Sequence, residues 1–125
     1  MVKNYKYKSM KLGCSIIVKD DTELQKLQNC LNSVVTHFDV VMVTANGETV
    51  GGIQTLCATF DNVIYKYKKW EVDFSAIRNY SFEELSKLGG FDYLFWIDTD
   101  DVLVGGEYLR TVANIAKKQA FDVVF

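Results

Sequence analysis

The stretch Phe95-Trp96-Ile97-Asp98-Thr99-Asp100-Asp101 decides how the rest of the chain is read. An apolar run with the character of a buried strand stops abruptly in three carboxylates spread over four residues. Buried strands of an α/β sheet present their carboxyl ends to the ligand crevice. Carboxylates gathered there repel one another unless a cation or hydrogen-bond donors offset the repulsion. Hard divalent ions such as Mg²⁺ or Mn²⁺ take oxygen ligands of this kind, and Mg²⁺ is commonly shared with a substrate's phosphates. The pattern points to a metal and a phosphorylated ligand. The plainer alternative is that Asp98 caps the next segment and that Asp100 and Asp101 are solvated turn residues.

The segments before this strand alternate in type. Cys14 to Val18 reads as a buried strand, and Thr22-Glu23-Leu24-Gln25 fits a helix capping box. Leu24, Leu27, Leu31, Val34 and Val35 follow at helical spacing. Val40-Val41-Met42-Val43 is a second buried strand. A weaker helix is expected from about Thr49 to Ala58, with Val50, Ile53 and Leu56 on one face and Gly51-Gly52 weakening it. Val63-Ile64-Tyr65 is a short third strand. A strong helix begins near Asp73, turns Phe74, Ile77, Ser81, Leu85 and Leu88 inward, and stops at Gly89-Gly90. The fourth strand runs from Tyr93 to Ile97; a helix over about Glu107 to Lys118 and a strand from Asp122 to Phe125 follow. Strand–helix alternation of this kind means a mostly parallel, doubly wound sheet in a three-layer α/β/α fold. The first strand is expected at its centre, flanked by the second and the fourth.

Bulk properties allow one domain. A chain of 125 residues that is 49% apolar can bury a real core. A net charge of −2 carries no nucleic-acid signature, and no stretch is long enough to span a bilayer. Cys14, Cys30 and Cys57 are odd in number and widely spaced, which favours reduced structural thiols in a cytoplasmic protein. His37 is the only histidine, so a nucleophile–histidine mechanism would rest on it alone; a solvated loop position is expected instead. Residues 1–12, with the alternation Tyr5-Lys6-Tyr7-Lys8, read as a leader or short edge segment, and residues 13–125 as the domain. The chain ends inside a hydrophobic strand. From this the domain is expected to be incomplete at its C-terminus, the alternative being that the strand completes a compact domain, and an open edge at Val123, Val124 and Phe125 is expected to make the chain self-associate or rearrange that strand.

The segment Trp70-Glu71-Val72-Asp73-Phe74-Ser75-Ala76-Ile77-Arg78-Asn79 adds a candidate cation. Asp73 is a good N-cap. Arg78 lies one residue around from the inward Ile77, where a guanidinium can reach the crevice and pair with a phosphate or an aspartate. An exposed arginine on an amphipathic helix is the simpler alternative.

Taken together, these segments resemble the nucleotide-binding half of family 2 glycosyltransferases, which have the GT-A fold. The resemblance is carried by Ser15-Ile16-Ile17-Val18-Lys19-Asp20-Asp21 with Cys30-Leu31-Asn32-Ser33-Val34. It continues in the spacing of Trp70, Asp73-Phe74 and Arg78-Asn79 ahead of Ile97-Asp98-Thr99-Asp100-Asp101. It covers roughly residues 13 to 125. It implies a nucleotide-diphosphate sugar as donor, UDP by family habit, and an acceptor among peptides, glycans and cell-surface polymers. Asp98 would be the first residue of a DxD motif, contacting ribose and metal, and Asp100 the direct ligand of Mn²⁺ or Mg²⁺. Val18, Lys19 and Asp20 would line the base pocket, and Arg78 would lie near the base and the carboxylates. The family's aspartate after the second strand is absent from Val43-Thr44-Ala45-Asn46-Gly47-Glu48-Thr49, where Thr44 or Asn46 is left to supply a hydrogen bond. The resemblance also puts the catalytic base beyond the fourth strand and its following helix, so this chain alone is expected to bind a donor without transferring the sugar.

Other classes fit less well. A receiver domain would match the acidic pair Asp20-Asp21 but needs an aspartate where the third strand ends in Tyr65-Lys66-Tyr67. A nucleotidyltransferase needs a Gly-rich loop where Val18-Lys19-Asp20-Asp21-Thr22 has no glycine. A non-catalytic nucleotide-binding module is the remaining alternative.

Overall fold

The computed structural model describes residues 10–70, 74–109 and 111. Among them, four strands form one sheet: β1 (Leu12–Val18), β2 (Val40–Ala45), β3 (Val63–Tyr67) and β4 (Tyr93–Asp98). Helices α1 (Leu24–Val34), α2 (Gly51–Cys57) and α3 (Phe74–Leu88) connect them. The order across the sheet is β3-β2-β1-β4, and every pair is parallel. The chain steps from β1 through β2 to β3, then returns to add β4 on the other side of β1. The order therefore reverses between β1 and β4, the place where ligands bind in open α/β sheets. The expected arrangement around a central first strand is the observed one.

Register aligns the strand ends. Val18 pairs with Ala45, Ala45 with Tyr67, and Ile17 with Asp98. All four strands thus deliver their carboxyl ends to one edge of the sheet, and the residues that follow them share one rim.

Side chains of alternate residues take opposite faces. Leu12, Cys14, Ile16 and Val18 of β1 join Val41, Val43 and Ala45 of β2 in the main core, closed by Leu27, Cys30, Leu31 and Val34 of α1 and Ile53 and Cys57 of α2. The other face is covered by α3, whose buried residues are Ile77, Ser81 and Leu85. There Ser15 and Ser81 share a hydrogen bond, which satisfies two hydroxyls that burial would otherwise penalise. Helices on both faces make the three layers. Fully burying a side chain such as Leu27 or Leu31 contributes about 1.5–3 kcal/mol.

Several expectations are revised by the packing. The box at Thr22–Gln25 does not form. Asp20 caps this turn two residues earlier, accepting from Thr22 N, while Glu23 reaches back to accept from Lys19 N at 2.8 Å. Asp21 spans to α2, where its two carboxylate oxygens accept from Gly52 N and Ile53 N, each at 3.0 Å. Phe74 and Leu88, expected inward, are exposed. Strand β4 is an edge strand of the described sheet and is only half-buried, with Phe95 alone fully covered. His37 is partly covered, its ring lying where any side chain at Gly106 would have to go. Met10 and Leu12, in the segment read as a leader, belong to the core. The expectations for Tyr5–Lys8, for Asp73 as N-cap and for the strand Asp122–Phe125 with its self-association lie outside the described residues, as does most of the helix expected over Glu107–Lys118.

Candidate functional site

Where the strands end, their loops enclose a crevice of about 1120 Å³. From β1 comes Ile17, and from the segment that follows it Lys19, Asp20 and Glu23. The loop after β2 supplies Asn46, Gly47, Glu48 and Thr49. The end of β3 supplies Tyr67, Lys69 and Trp70, and Phe74 opens α3. Asp98, Thr99 and Asp100 close the far side. The volume suits a ligand of nucleotide size.

The floor is held by backbone. Gly47 N donates to Lys19 O at 2.7 Å, and Tyr67 Oη donates to Gly47 O at 2.7 Å. Trp70 N donates to Asn46 O at 3.0 Å. A Cβ on Gly47 would lie 2.6 Å from Lys19 O, so only glycine lets the two loops approach this closely.

The acidic side is a turn in which Asp101 N donates to Asp98 O at 3.0 Å. Asp98 and Asp100 both face the crevice. Asp101 does not: it lines a separate apolar groove with Phe95, Val102 and Leu103. Lys26 Nζ sits 3.1 Å from Asp100 Oδ1, both side chains more than half exposed, and Asp100 holds the ammonium above its ordinary range. Hydrogen bonds from Thr22 hold Asp20 below the usual carboxylate range, so it stays charged beside Lys19. Beneath the turn, burial pushes the Cys30 thiol up to about 11, with Asp101 and Asp98 adding to the effect. It is neutral and inert at physiological pH.

Among the described residues no group of three or more His, Cys, Asp or Glu side chains could hold a metal unaided. Asp98 and Asp100 are two carboxylates on one crevice wall. That donor set fits an ion bound through one or two carboxylates and a ligand's phosphates, which is the habit of Mg²⁺.

The expected site residues divide into two groups. Lys19, Asp20, Asp98 and Asp100 are brought together around the crevice. Val18 and Thr44 are not in its lining; both are buried in the sheet. Arg78 is drawn to the α3 face of β4, its Cζ 5.3 Å from the centre of the Trp96 ring, which Phe74 also approaches at 6.1 Å. Sequence reasoning missed Trp70 and Tyr67 as lining residues and gave Asn46 no more weight than Thr44. Asn46 lines the crevice while only 6% exposed. Tyr67 and Trp70 are large aromatic side chains left 43% and 51% exposed at the crevice mouth. Their signal was position: each ends or follows a strand on the rim side.

No protein-family model matches the chain. The SPbeta prophage-derived glycosyltransferase SunS of Bacillus subtilis (strain 168) is 30% identical to it over 110 residues. That alignment covers 88% of this chain and 24% of SunS, and the glycosyltransferase SunS of Bacillus phage SPbeta matches equally. The chain therefore spans about a quarter of the length of these curated relatives. The crystal structure of S. aureus TarS 1-349 superposes with a TM-score of 0.63 at 18% identity, covering 89% of this chain and 33% of that one. Among the described residues no helix is long and apolar enough to cross a membrane. Over most of its own length the chain is thus related by sequence to the glycosyltransferase SunS, and it shares the α/β fold of TarS 1-349.

Proposed function

We propose that the chain is the donor-binding part of a family 2 glycosyltransferase that takes a nucleotide-diphosphate sugar, UDP by default, with Mn²⁺ or Mg²⁺ held through Asp98 and Asp100 as a DxD motif. The observation that carries this reading is that both carboxylates open on one crevice, at the topological switch point of the sheet, in a chain related to glycosyltransferases. When bound, the metal supplies Lewis-acid stabilisation to the charge developing on the diphosphate leaving group. The chain's own residues do the rest of the binding. Lys19 offers the phosphates a cation, and Asp20 flanks the nucleoside. Asn46 takes the base edge in place of the family's aspartate, since it lines the crevice directly after β2. Arg78, stacked on Trp96, supports the donor site from behind.

Sugar transfer is proposed for a whole protein of which this chain supplies the donor site, with a peptide, a glycan or a cell-surface polymer as acceptor. The three cysteines are free and buried, which suits the cytoplasm. Calorimetric titration of UDP into the protein, with and without Mn²⁺, tests the reading. Saturable binding that tightens at least tenfold with Mn²⁺ is expected; equal affinity in both conditions rules out the metal-dependent donor site.

A further inference from the structure

Helix α1 touches the acidic loop at three points. Lys26 Nζ pairs with Asp100 Oδ1 at 3.1 Å. Cys30 Sγ donates to the Asp98 carbonyl oxygen at 3.7 Å. Ser33 Oγ donates to Cys30 O at 2.7 Å and accepts from Leu103 N at 2.9 Å. Positions i, i+4 and i+7 share one side of a helix, so a single stripe of α1 meets the loop from Asp98 to Leu103.

The three contacts differ in kind. Cys30, fully buried, and Ser33, partly buried, grip the loop's backbone, which fixes where the loop runs. Lys26 acts on the charge of Asp100 alone, and the pair stands in water, with side chains 60% and 62% exposed. Exposed pairs of this sort hold weakly. The lysine is a counter-ion that offsets the crowding of carboxylates yet leaves easily. A divalent cation bound at Asp100 and this ammonium would be like charges at close range and would exclude one another.

We propose that the α1 stripe is the positioning element of the acidic loop: Ser33 anchors its backbone, and Lys26 is the resident counter-ion of Asp100 that a divalent cation displaces. This rests on the reading of Asp98 and Asp100 as metal ligands. The two residues should then shift cation affinity in opposite directions, which a general stabilising role would not do.

The test is Mn²⁺ binding to the full chain in the presence of UDP, with free Mn²⁺ followed by electron paramagnetic resonance and folding by thermal melting. Lys26→Gln is expected to tighten Mn²⁺ binding about 2–5-fold at low salt, the value of releasing one exposed pair. The gain should vanish near 1 M salt, where the Debye length falls to about 3 Å. Ser33→Ala is expected to weaken Mn²⁺ binding roughly tenfold, the low end for losing a group that orients a metal ligand, and Ser33→Thr to restore most of it. Lys26→Gln that leaves affinity unchanged or weakens it overturns the counter-ion role. Ser33→Ala with wild-type affinity overturns the anchoring role. If wild type binds no Mn²⁺ with UDP, both this proposal and the metal reading fail. If binding is sensitive to Asp100→Ala but indifferent to both α1 variants, this proposal alone fails.

Discussion

Asp100→Ala is expected to remove the metal-dependent part of UDP binding, lowering affinity in Mn²⁺ by about 10–100-fold while leaving the metal-free affinity nearly unchanged. That range is known for the loss of a partner one layer outside a metal, so a direct ligand should cost at least as much. Asp98→Ala should weaken binding in the same sense. Stability should barely move. The Asp100 substitution breaks the ion pair with Lys26, in which both side chains are mostly exposed, and such pairs contribute about 0.2–1 kcal/mol. Calorimetry of the variants beside thermal melting separates these outcomes. Wild-type affinity for Asp100→Ala in Mn²⁺ would remove Asp100 from the ligand set.

The second large effect is structural and acts on the crevice floor. Gly47→Ala should destabilise the domain by about 1–3 kcal/mol, the cost of overpacking a site that cannot relax. The added Cβ would meet Lys19 O at 2.6 Å and Asp20 Cβ at 3.0 Å. The first of these is backbone, so no rotamer change relieves the clash. The β1 and β2 loops must part, stretching the Gly47 N–Lys19 O hydrogen bond and moving Lys19 and Asp20 away from Asn46. Donor binding should fall together with stability. Gly51→Ala is the control: a Cβ there meets nothing within 4 Å, and a gain of about 0.4–1 kcal/mol is expected. Equal melting temperatures for the two variants would contradict the close approach of the loops.

Much of this architecture is legible in the sequence. The runs Cys14–Val18 and Val40–Val43 read as strands because both faces of their central positions are buried, which leaves an unbroken apolar signature. Helix α1 declares itself through the spacing of Leu27, Leu31 and Val34, all of which are buried. Strand ends are less legible. Thr44 breaks the apolar run of β2, so the pattern stops at Val43, yet the strand continues to Ala45. Thr44 is consequently inside the sheet and Asn46 is the residue that reaches the crevice. A shift of this size decides which polar side chain faces a ligand, and hydropathy does not resolve it. Arg78 escapes sequence reasoning for a related cause. Helical period sets it beside Ile77, but the ring it stacks on belongs to β4, and that partner follows only from the packed sheet. Asp21 illustrates the same limit in capping: its hydrogen bonds run to residues 31 and 32 positions away. The acidic loop itself is plain, because three carboxylates after a buried-looking strand are conspicuous in any α/β pattern.

If the crevice at the carboxyl ends of the strands holds a nucleoside diphosphate through Asp98 and Asp100, a crystal structure of the protein grown with UDP and Mn²⁺ will reveal it. The expected result is an ion coordinated by Asp98 and Asp100, the diphosphate bridging it, Lys26 released from Asp100, and the base turned toward Asn46. A nucleotide bound elsewhere, such as in the groove beside Phe95 and Leu103, or a Mn²⁺ ion that touches neither aspartate, would contradict it.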